Sequence, residues 1–175
     1  GHQFDPTDNS VDALNFNIET LFFEGEFTEL FPNLDLNDSK RLDYGLSIGR
    51  QPLLFQDGIL MNDTIDSIGI VRNNLLPFSA TNSRATLLFG WDEVNRDNNV
   101  KDRSANLFGL FTETDFACNT VNLDLVFVEA DDSTGDAFFW GLSSIQRMGH
   151  FNTSFRALGS HPTGTETAAT SEGYL

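Results

Sequence analysis

Hydrophobic and polar residues alternate one by one along several stretches of the chain, most clearly over residues 42–48. In that stretch Leu46 and Ile48 fall on one side, while Ser47 and Gly49 fall on the other. A repeat of two residues is typical of a β-strand, because successive side chains of an extended backbone leave opposite faces. The pattern therefore predicts a strand with one apolar face and one small, polar face.

The same alternation recurs along most of the remaining chain and predicts further strands. They cover residues 11–23, 27–31, 65–71, 85–91, 105–116, 120–129, 138–142 and 151–157, with a β-like segment after Asp57-Gly58. The predicted turns and loops are residues 24–26, 32–40, 73–82, 92–103 and 131–136. We expect residues 49–52 to interrupt the first strand, because Pro52 has no N–H to donate to a ladder. No helical period is found, so the predicted fold is all-β, an antiparallel up-and-down meander of about eight or nine strands.

The chain has 175 residues, which is enough for one domain with a core of its own. Residues 1–10 are expected to form a leader or loop, and residues 161–171 a loop before a further strand that begins near Ser171. The sequence has neither an initiator Met nor a signal-peptide core at its start, which indicates a processed or partial chain. The whole chain is thus predicted to be a single β-sheet unit, residues 1–175.

Charge and composition exclude several classes of function. The net charge of −16 argues against nucleic acid as a partner, because binding polyphosphate requires a basic patch. The single cysteine, Cys118, allows no internal disulfide and no four-cysteine metal site. No apolar run is long enough for a transmembrane helix, although a spanning β-strand needs only about 9–11 residues.

Motifs of enzymes and metal sites are also missing from the sequence. The three histidines are far apart and belong to no H-E-x-x-H motif, and no G-x-S-x-G elbow or phosphate-binding glycine loop occurs. The acidic loops at residues 35–38, 92–102 and 131–136 lack the ligand spacing of a calcium-binding EF-hand. The sequence therefore predicts no enzyme, no cofactor and no metal site.

Alternation alone leaves two all-β architectures open. In a soluble sandwich the apolar face packs on a second sheet, whereas in a membrane barrel it meets lipid and aromatic residues gather at both interfaces. The chain has 17 phenylalanines, many at predicted strand ends, and the opposite faces carry Asn, Asp, Ser, Thr, Gly and Arg. That distribution is compatible with lipid outside and a solvent-filled interior, but the residues alone leave the barrel and the sandwich equally open.

The segment at residues 48–58, IGRQPLLFQDG, resembles the alginate-export-type porins of Gram-negative outer membranes. A looser likeness is carried by residues 153–160 with residues 166–169. The resemblance implies a transmembrane β-barrel in the bacterial outer membrane, in contact with membrane lipid, of which this chain forms part or all. Family members are larger, so further strands or a partner chain would complete the wall.

A barrel of this type would work as a passive channel whose selectivity depends on the charges that line it. By strand parity the candidate pore-lining residues are Glu19, Arg41, Asp43, Arg84, Asp92, Asp124, Arg147 and Arg156. The family is expected to attract an acidic polysaccharide with arginines, but here 26 acidic residues outnumber 10 basic ones. We therefore expect passage of small polar solutes or saccharides. The alternative is a secreted or periplasmic β-sandwich that binds carbohydrate.

Overall fold

The computed structural model describes residues 19–34, 42–77, 79–96, 100–130, 134–164 and 171–175. The described part of the chain opens with β1 (Leu21–Glu26), the single helical turn α1 (Phe27–Leu30), β2 (Tyr44–Phe55), a 3₁₀ turn (Gln56–Gly58) and β3 (Met61–Arg72). It continues with β4 (Asn82–Trp91), β5 (Val94–Asn95), β6 (Lys101–Asp102), β7 (Asn106–Asp115) and β8 (Asn119–Glu129). The last strands are β9 (Ala137–Met148), β10 (Phe151–Pro162) and β11 (Gly173–Tyr174).

Nine of these strands form one sheet in the order β1-β2-β3-β4-β7-β8-β9-β10-β11, and every neighbouring pair is antiparallel. The small pair β5–β6 lies between β4 and β7 in sequence and forms a sheet of its own. The predicted all-β antiparallel meander is confirmed. Over the described ranges the sheet ends at β1 and β11, and no closed barrel is seen.

One face of the sheet, which we call the outer face, carries continuous rows of large apolar side chains. Strand register aligns one row across six strands, from β2 to β9: Ile48, Ile68, Phe89, Phe108, Phe127 and Phe138. A second row lies beside it: Leu46, Ile70, Leu87, Leu110, Leu125 and Trp140. Several of these residues, among them Leu87 and Phe108, are exposed. The predicted apolar sides of β2, β3, β4, β8 and β9 are therefore confirmed as one shared face, which Phe108 and Leu110 of the less regular strand β7 continue.

The opposite face, the inner face, contains the core of the molecule. The buried cluster consists of Leu53, Met61, Ile65, Leu88, Val94, Ala105, Leu107, Phe111, Val126 and Val128. Phe55 and Phe139 pack against it, and the rings of Phe55 and Phe111 stack with centroids 3.3 Å apart. The sequence predicted a polar inner face, but half of this face is apolar and packed.

The second half of the β2–β3 hairpin covers this face, and we call residues 51–65 the folded hairpin. Register aligns Phe111 with Gly45 through Val71 and Thr86. In a flat sheet, Phe55 would lie ten residues further along β2 than Gly45, about 33 Å from the level of Phe111. Since its ring instead stacks on Phe111, the hairpin must bend across the inner face. The folded hairpin supplies Leu53, Met61 and Ile65 to the core.

Three sequence predictions in the first third of the chain were wrong. Pro52 does not end β2, which continues to Phe55 with Pro52 opposite Thr64. The described part of β1 pairs with β2 only up to Arg50, so Pro52 lies where the strand has a free edge and tolerates a missing N–H. Residues 24–26 are not a turn but belong to β1, and the expected strand at residues 27–31 begins as α1.

Two loop predictions were also incomplete. The segment at residues 92–103 contains the β5–β6 pair, with Val94 buried in the core, so it is not a wholly exposed loop. β10 continues to Pro162, into the expected loop at residues 161–171. The expected further strand is confirmed as β11, which pairs with β10. The predicted leader at residues 1–10 lies outside the described residues.

No helix within the described residues has the length and apolar character needed to cross a membrane.

Candidate functional site

A polar cavity of about 230 Å³ lies on the inner face, between the folded hairpin and strands β4 and β7–β10. Its polar lining includes Arg84, Glu113, Asn122, Asp124, Ser143 and Arg156. Phe55, Phe111 and Ile145 supply an apolar part of the wall. The cavity therefore joins the packed half of the inner face to its charged half.

The first ion pair of the cavity joins two neighbouring strands. Arg84 of β4 lies opposite Glu113 of β7 in the register, and its Nε approaches Glu113 Oε1 at 3.3 Å. Both side chains are exposed enough, 56% and 38%, for solvent to screen their attraction. An exposed pair of this kind stabilises a fold by about 0–1 kcal/mol. Its main effect here is to neutralise the Arg84 guanidinium at the edge of the cavity.

Two longer-range contacts attach the tip of the folded hairpin to β8 and β10. Gln56 donates its Nε2 to Asp124 Oδ2 at 2.6 Å, and Asp124 is only 4% exposed. Arg156 donates to Asp57 Oδ2 at 2.5 Å. Both partners on the hairpin lie in the 3₁₀ turn, where Gln56 and Asp57 have positive φ. Positive φ is uncommon for residues other than glycine, so both side chains leave the chain from an unusual backbone conformation.

Gly141 makes room for this contact. It lies opposite Asp124 in the register, and a Cβ at this position would be 3.1 Å from Gln56 Cγ and 2.9 Å from Leu158 Cδ2. A larger residue would push the hairpin tip away from β9. The missing side chain is thus part of how the sequence builds the site.

Three of the predicted pore-lining residues, Arg84, Asp124 and Arg156, meet at this cavity. The structure does not bring the others to it. Glu19 lines a separate cavity beside Arg50 and Glu93, and Asp43 accepts a hydrogen bond from Asn74. Arg147 is exposed and donates to Gly149 O at 3.3 Å. Asp92 lies just after β4 with positive φ, and Arg41 lies outside the described residues.

Sequence reasoning missed Gln56, Asp57 and Glu113 as members of the site. Alternation did place Asn122 and Ser143 on the polar side of their strands, but it did not single them out. Glu113 follows the irregular part of β7, where the pattern was weak. Gln56 and Asp57 lie at the turn around Asp57-Gly58, and no local pattern shows that the bend of the folded hairpin brings them across the sheet.

A second polar cluster is centred on Glu93, between β4 and β5. Its carboxylate contacts Arg50 at 2.5 Å, Lys101 at 2.7 Å and Arg103 at 3.3 Å. Hydrogen bonds from Lys101 and Arg50 lower the pKa of Glu93 from its ordinary 4.5 to about 2. Arg50 also lies 3.5 Å from Asp66. These contacts attach the β5–β6 pair to the end of the sheet.

Across the part of the chain that the structure describes, no group of three or more His, Cys, Asp or Glu side chains is placed to hold a metal ion. In the cavity, Arg84 and Arg156 each face a carboxylate, so the arrangement is suited to binding a polar molecule.

Comparisons of the sequence with models of protein families, with curated proteins and with solved structures gave no match.

Proposed function

We propose that the chain forms the strand-rich wall of an outer-membrane channel of the alginate-export type, which gives passive passage to small polar solutes or saccharides. The observation that carries the proposal is the contrast between the two faces of the sheet. Large apolar residues are exposed on the outer face across six strands, while the ion pairs Arg84–Glu113 and Arg156–Asp57 lie on the inner face. A barrel in lipid has this distribution, with apolar residues outward and polar residues inward.

Strand length is compatible with a membrane wall. Strands β4 and β7–β10 have 10 to 12 residues each. At about 3.3 Å per residue they extend about 33–40 Å, and a tilt of about 40° leaves about 25–30 Å along the membrane normal. β2 and β3 contribute only residues 44–50 and 66–72 to this wall, because the folded hairpin leaves it. The hydrocarbon core of a bilayer is about 30 Å thick.

The borders of the apolar rows also support the proposal. On one side, register aligns the charged pair Arg50–Asp66 with Trp91. On the other side, Tyr44 lies opposite Arg72, whose guanidinium sits 4.6 Å from the ring centroid. Trp and Tyr are the aromatic residues that prefer the interface between lipid and water. The apolar rows are thus bounded by residues that suit two membrane surfaces.

The interior of the proposed channel would be narrow, because protein fills part of it. The folded hairpin fills one half of the inner face, and the polar cavity remains beside it. Further strands or a partner chain would continue the sheet at the edges of β1 and β11 and close the wall. Solute would then pass along the charged part of the inner face.

One observation favours the alternative, a secreted or periplasmic β-sandwich that binds carbohydrate. The folded hairpin packs on β7 and β8 as a second layer, with Phe55 stacked on Phe111. In that case the outer face would be covered by another protein surface, since exposed apolar patches of this extent are rare in monomers.

Two measurements distinguish the channel from the sandwich: whether the protein partitions into lipid vesicles, and whether it makes those vesicles permeable to solute. The protein is folded in detergent and mixed with lipid vesicles, which are then washed with high salt and tested for swelling in glucose. We expect the protein to stay with the vesicles and to make them permeable to glucose and to other small neutral solutes. A protein that stays folded and dispersed in buffer without detergent, and leaves vesicles sealed, would overturn the channel proposal in favour of the sandwich.

A further inference from the structure

Three buried polar atoms of residues that line the inner-face cavity have no hydrogen-bond partner among the described residues: Gln56 Oε1, Asn122 Oδ1 and Arg156 Nε. In each case one nitrogen of the same side chain is already used. Gln56 Nε2 donates to Asp124, Asn122 Nδ2 donates to Ser143 Oγ at 3.3 Å, and an Arg156 terminal nitrogen donates to Asp57. Leaving a buried donor or acceptor unpaired costs about 1–3 kcal/mol. Three such atoms around one cavity therefore indicate an occupant with hydrogen-bonding groups.

The types of these atoms restrict the chemistry of that occupant. Gln56 Oε1 and Asn122 Oδ1 accept hydrogen bonds, whereas Arg156 Nε donates one. A hydroxyl group both donates and accepts, so a molecule with several hydroxyls can satisfy all three atoms. A carboxylate can only accept and an ammonium group can only donate. Neither type of ion suits the whole set.

The charges around the cavity point the same way. Each of the two arginines already faces a carboxylate, Arg84 with Glu113 and Arg156 with Asp57. Asp124 adds a further acidic group to the lining. No guanidinium of the lining is thus left to neutralise an anion, and an acidic ligand would meet Glu113 and Asp124.

Size and shape complete the description of the site. The volume of about 230 Å³ equals about eight water molecules at the ~30 Å³ that each occupies in the liquid. That space suits a small polyol or one sugar ring. Phe55 and Phe111 in the wall offer apolar surface to the C–H groups of such a molecule.

We propose that the cavity between the folded hairpin and β7–β10 is a binding subsite for a neutral polyhydroxylated molecule, a small polyol or a single sugar unit. This inference rests on the proposed function in one respect, because the bound molecule is taken to be the solute in transit. Gln56, Asn122 and Arg156 hold its hydroxyls. The site selects against acidic sugars, in contrast to the arginine-lined pore expected from the resemblance.

The test is binding of glucose and mannitol to the detergent-folded protein, measured by saturation-transfer NMR and compared with glucuronate and glucosamine. We expect both neutral probes to bind more tightly than either charged one. Asn122→Ala should weaken glucose binding about three- to tenfold, the usual effect of one neutral hydrogen bond. Asn119→Ala is the matched control, because Asn119 is the same residue type on β8 and lies outside the cavity lining. It should leave binding within about twofold of the unchanged protein.

A second variant keeps the test independent of Asn122. Ile145 lines the cavity and is exposed, so Ile145→Trp should fill the cavity without disturbing the core and abolish glucose binding. Equal or tighter binding of glucuronate, or glucose binding that both variants leave unchanged, would overturn the inference. No binding of either neutral probe would mean that only water occupies the cavity. Vesicles that admit glucose without such binding would refute the subsite alone, whereas binding without permeability would refute the channel alone.

Discussion

Two adjacent leucines of β4 show how differently the two faces of the sheet are used. Leu87 lies on the outer face and is 57% exposed, whereas Leu88 lies on the inner face and is 7% exposed. Leu88 belongs to the core cluster with Leu107 and Phe111, while Leu87 lies in an open apolar row between Ile70 and Leu110. The same residue type on the same strand thus has two environments.

This contrast teaches that alternation defines two faces but does not say which face is packed. Exposure of the outer face to water would cost free energy. Burial of apolar surface stabilises a protein by about 25 cal/mol per Å², and these rows bury little of their apolar surface. Contact of the outer face with lipid would remove that cost in free energy without any protein partner. The inner face, in turn, reaches ordinary protein packing only because the folded hairpin covers it. Substitutions on one face or the other should therefore respond differently to the surrounding solvent.

The largest effect is expected from Phe111→Ala, which removes the ring at the centre of the inner face. Phe111 is 4% exposed and stacks on Phe55, so its loss should lower the free energy of unfolding by about 3–5 kcal/mol. Phe108→Ala is the matched control, since Phe108 lies on the outer face of the same strand and is 45% exposed. Urea titration in lipid vesicles measures both. Equal losses for the two variants would mean that the faces do not differ in packing.

A smaller but more diagnostic effect is expected from Leu87→Arg. If the outer face meets lipid, a charge in its apolar rows should cost about 2–4 kcal/mol, the range for a cation near the bilayer midplane. If it meets water, the change should stay within about 0.5 kcal/mol. Leu76→Arg is the control, because Leu76 is exposed in the connection between β3 and β4, away from the apolar rows. Urea titration in vesicles, repeated for both variants, distinguishes the two solvents.

The two faces of the sheet could be predicted from the sequence, because the two-residue period of a strand does not depend on how the strands pack. Residues such as Ile68, Leu87 and Leu125 were assigned to the apolar side by counting alone, and the register confirms them. The charged residues Arg84, Asp124 and Arg156 were assigned to the polar side in the same way. The predicted channel and its solute stay proposals.

The folded hairpin could not be predicted, since its cause is not local. Its bend places Gln56 against Asp124, which is 68 positions away, and Asp57 against Arg156, which is 99 positions away. No periodicity in residues 51–65 encodes those partners. The α-helical turn at Phe27–Leu30 was missed for a similar reason, because four residues are too few to display a helical period. The site was therefore partly predicted: Arg84, Asp124 and Arg156 were found, whereas Glu113 of β7 and the two hairpin residues were not.

The smallest effect concerns Glu93, which lies next to the charged border of the apolar rows at Arg50 and Asp66. A carboxyl whose pKa is lower in the folded state stabilises the fold above its ordinary pKa and loses that contribution as the pH falls. For Glu93 the loss should occur between about pH 4.5 and about pH 2, and it should loosen the β5–β6 pair first. The protection factors of the Val94 and Lys101 amides, the intrinsic exchange rate at each pH divided by the rate observed by NMR, measure the change over that range.

Glu93→Gln separates this titration from general acid effects. Without the carboxylate, Lys101 and Arg50 lose their shared partner, so the amides of the β5–β6 pair should already be weakly protected from exchange near neutral pH, and their protection factors should vary little down to pH 2. Glu113→Gln is the control, because its exposed pair with Arg84 lies in the inner-face cavity and should leave β5–β6 exchange unchanged. If the Glu93 carboxyl instead titrates near 4.5, the cluster does not hold the border of the apolar rows.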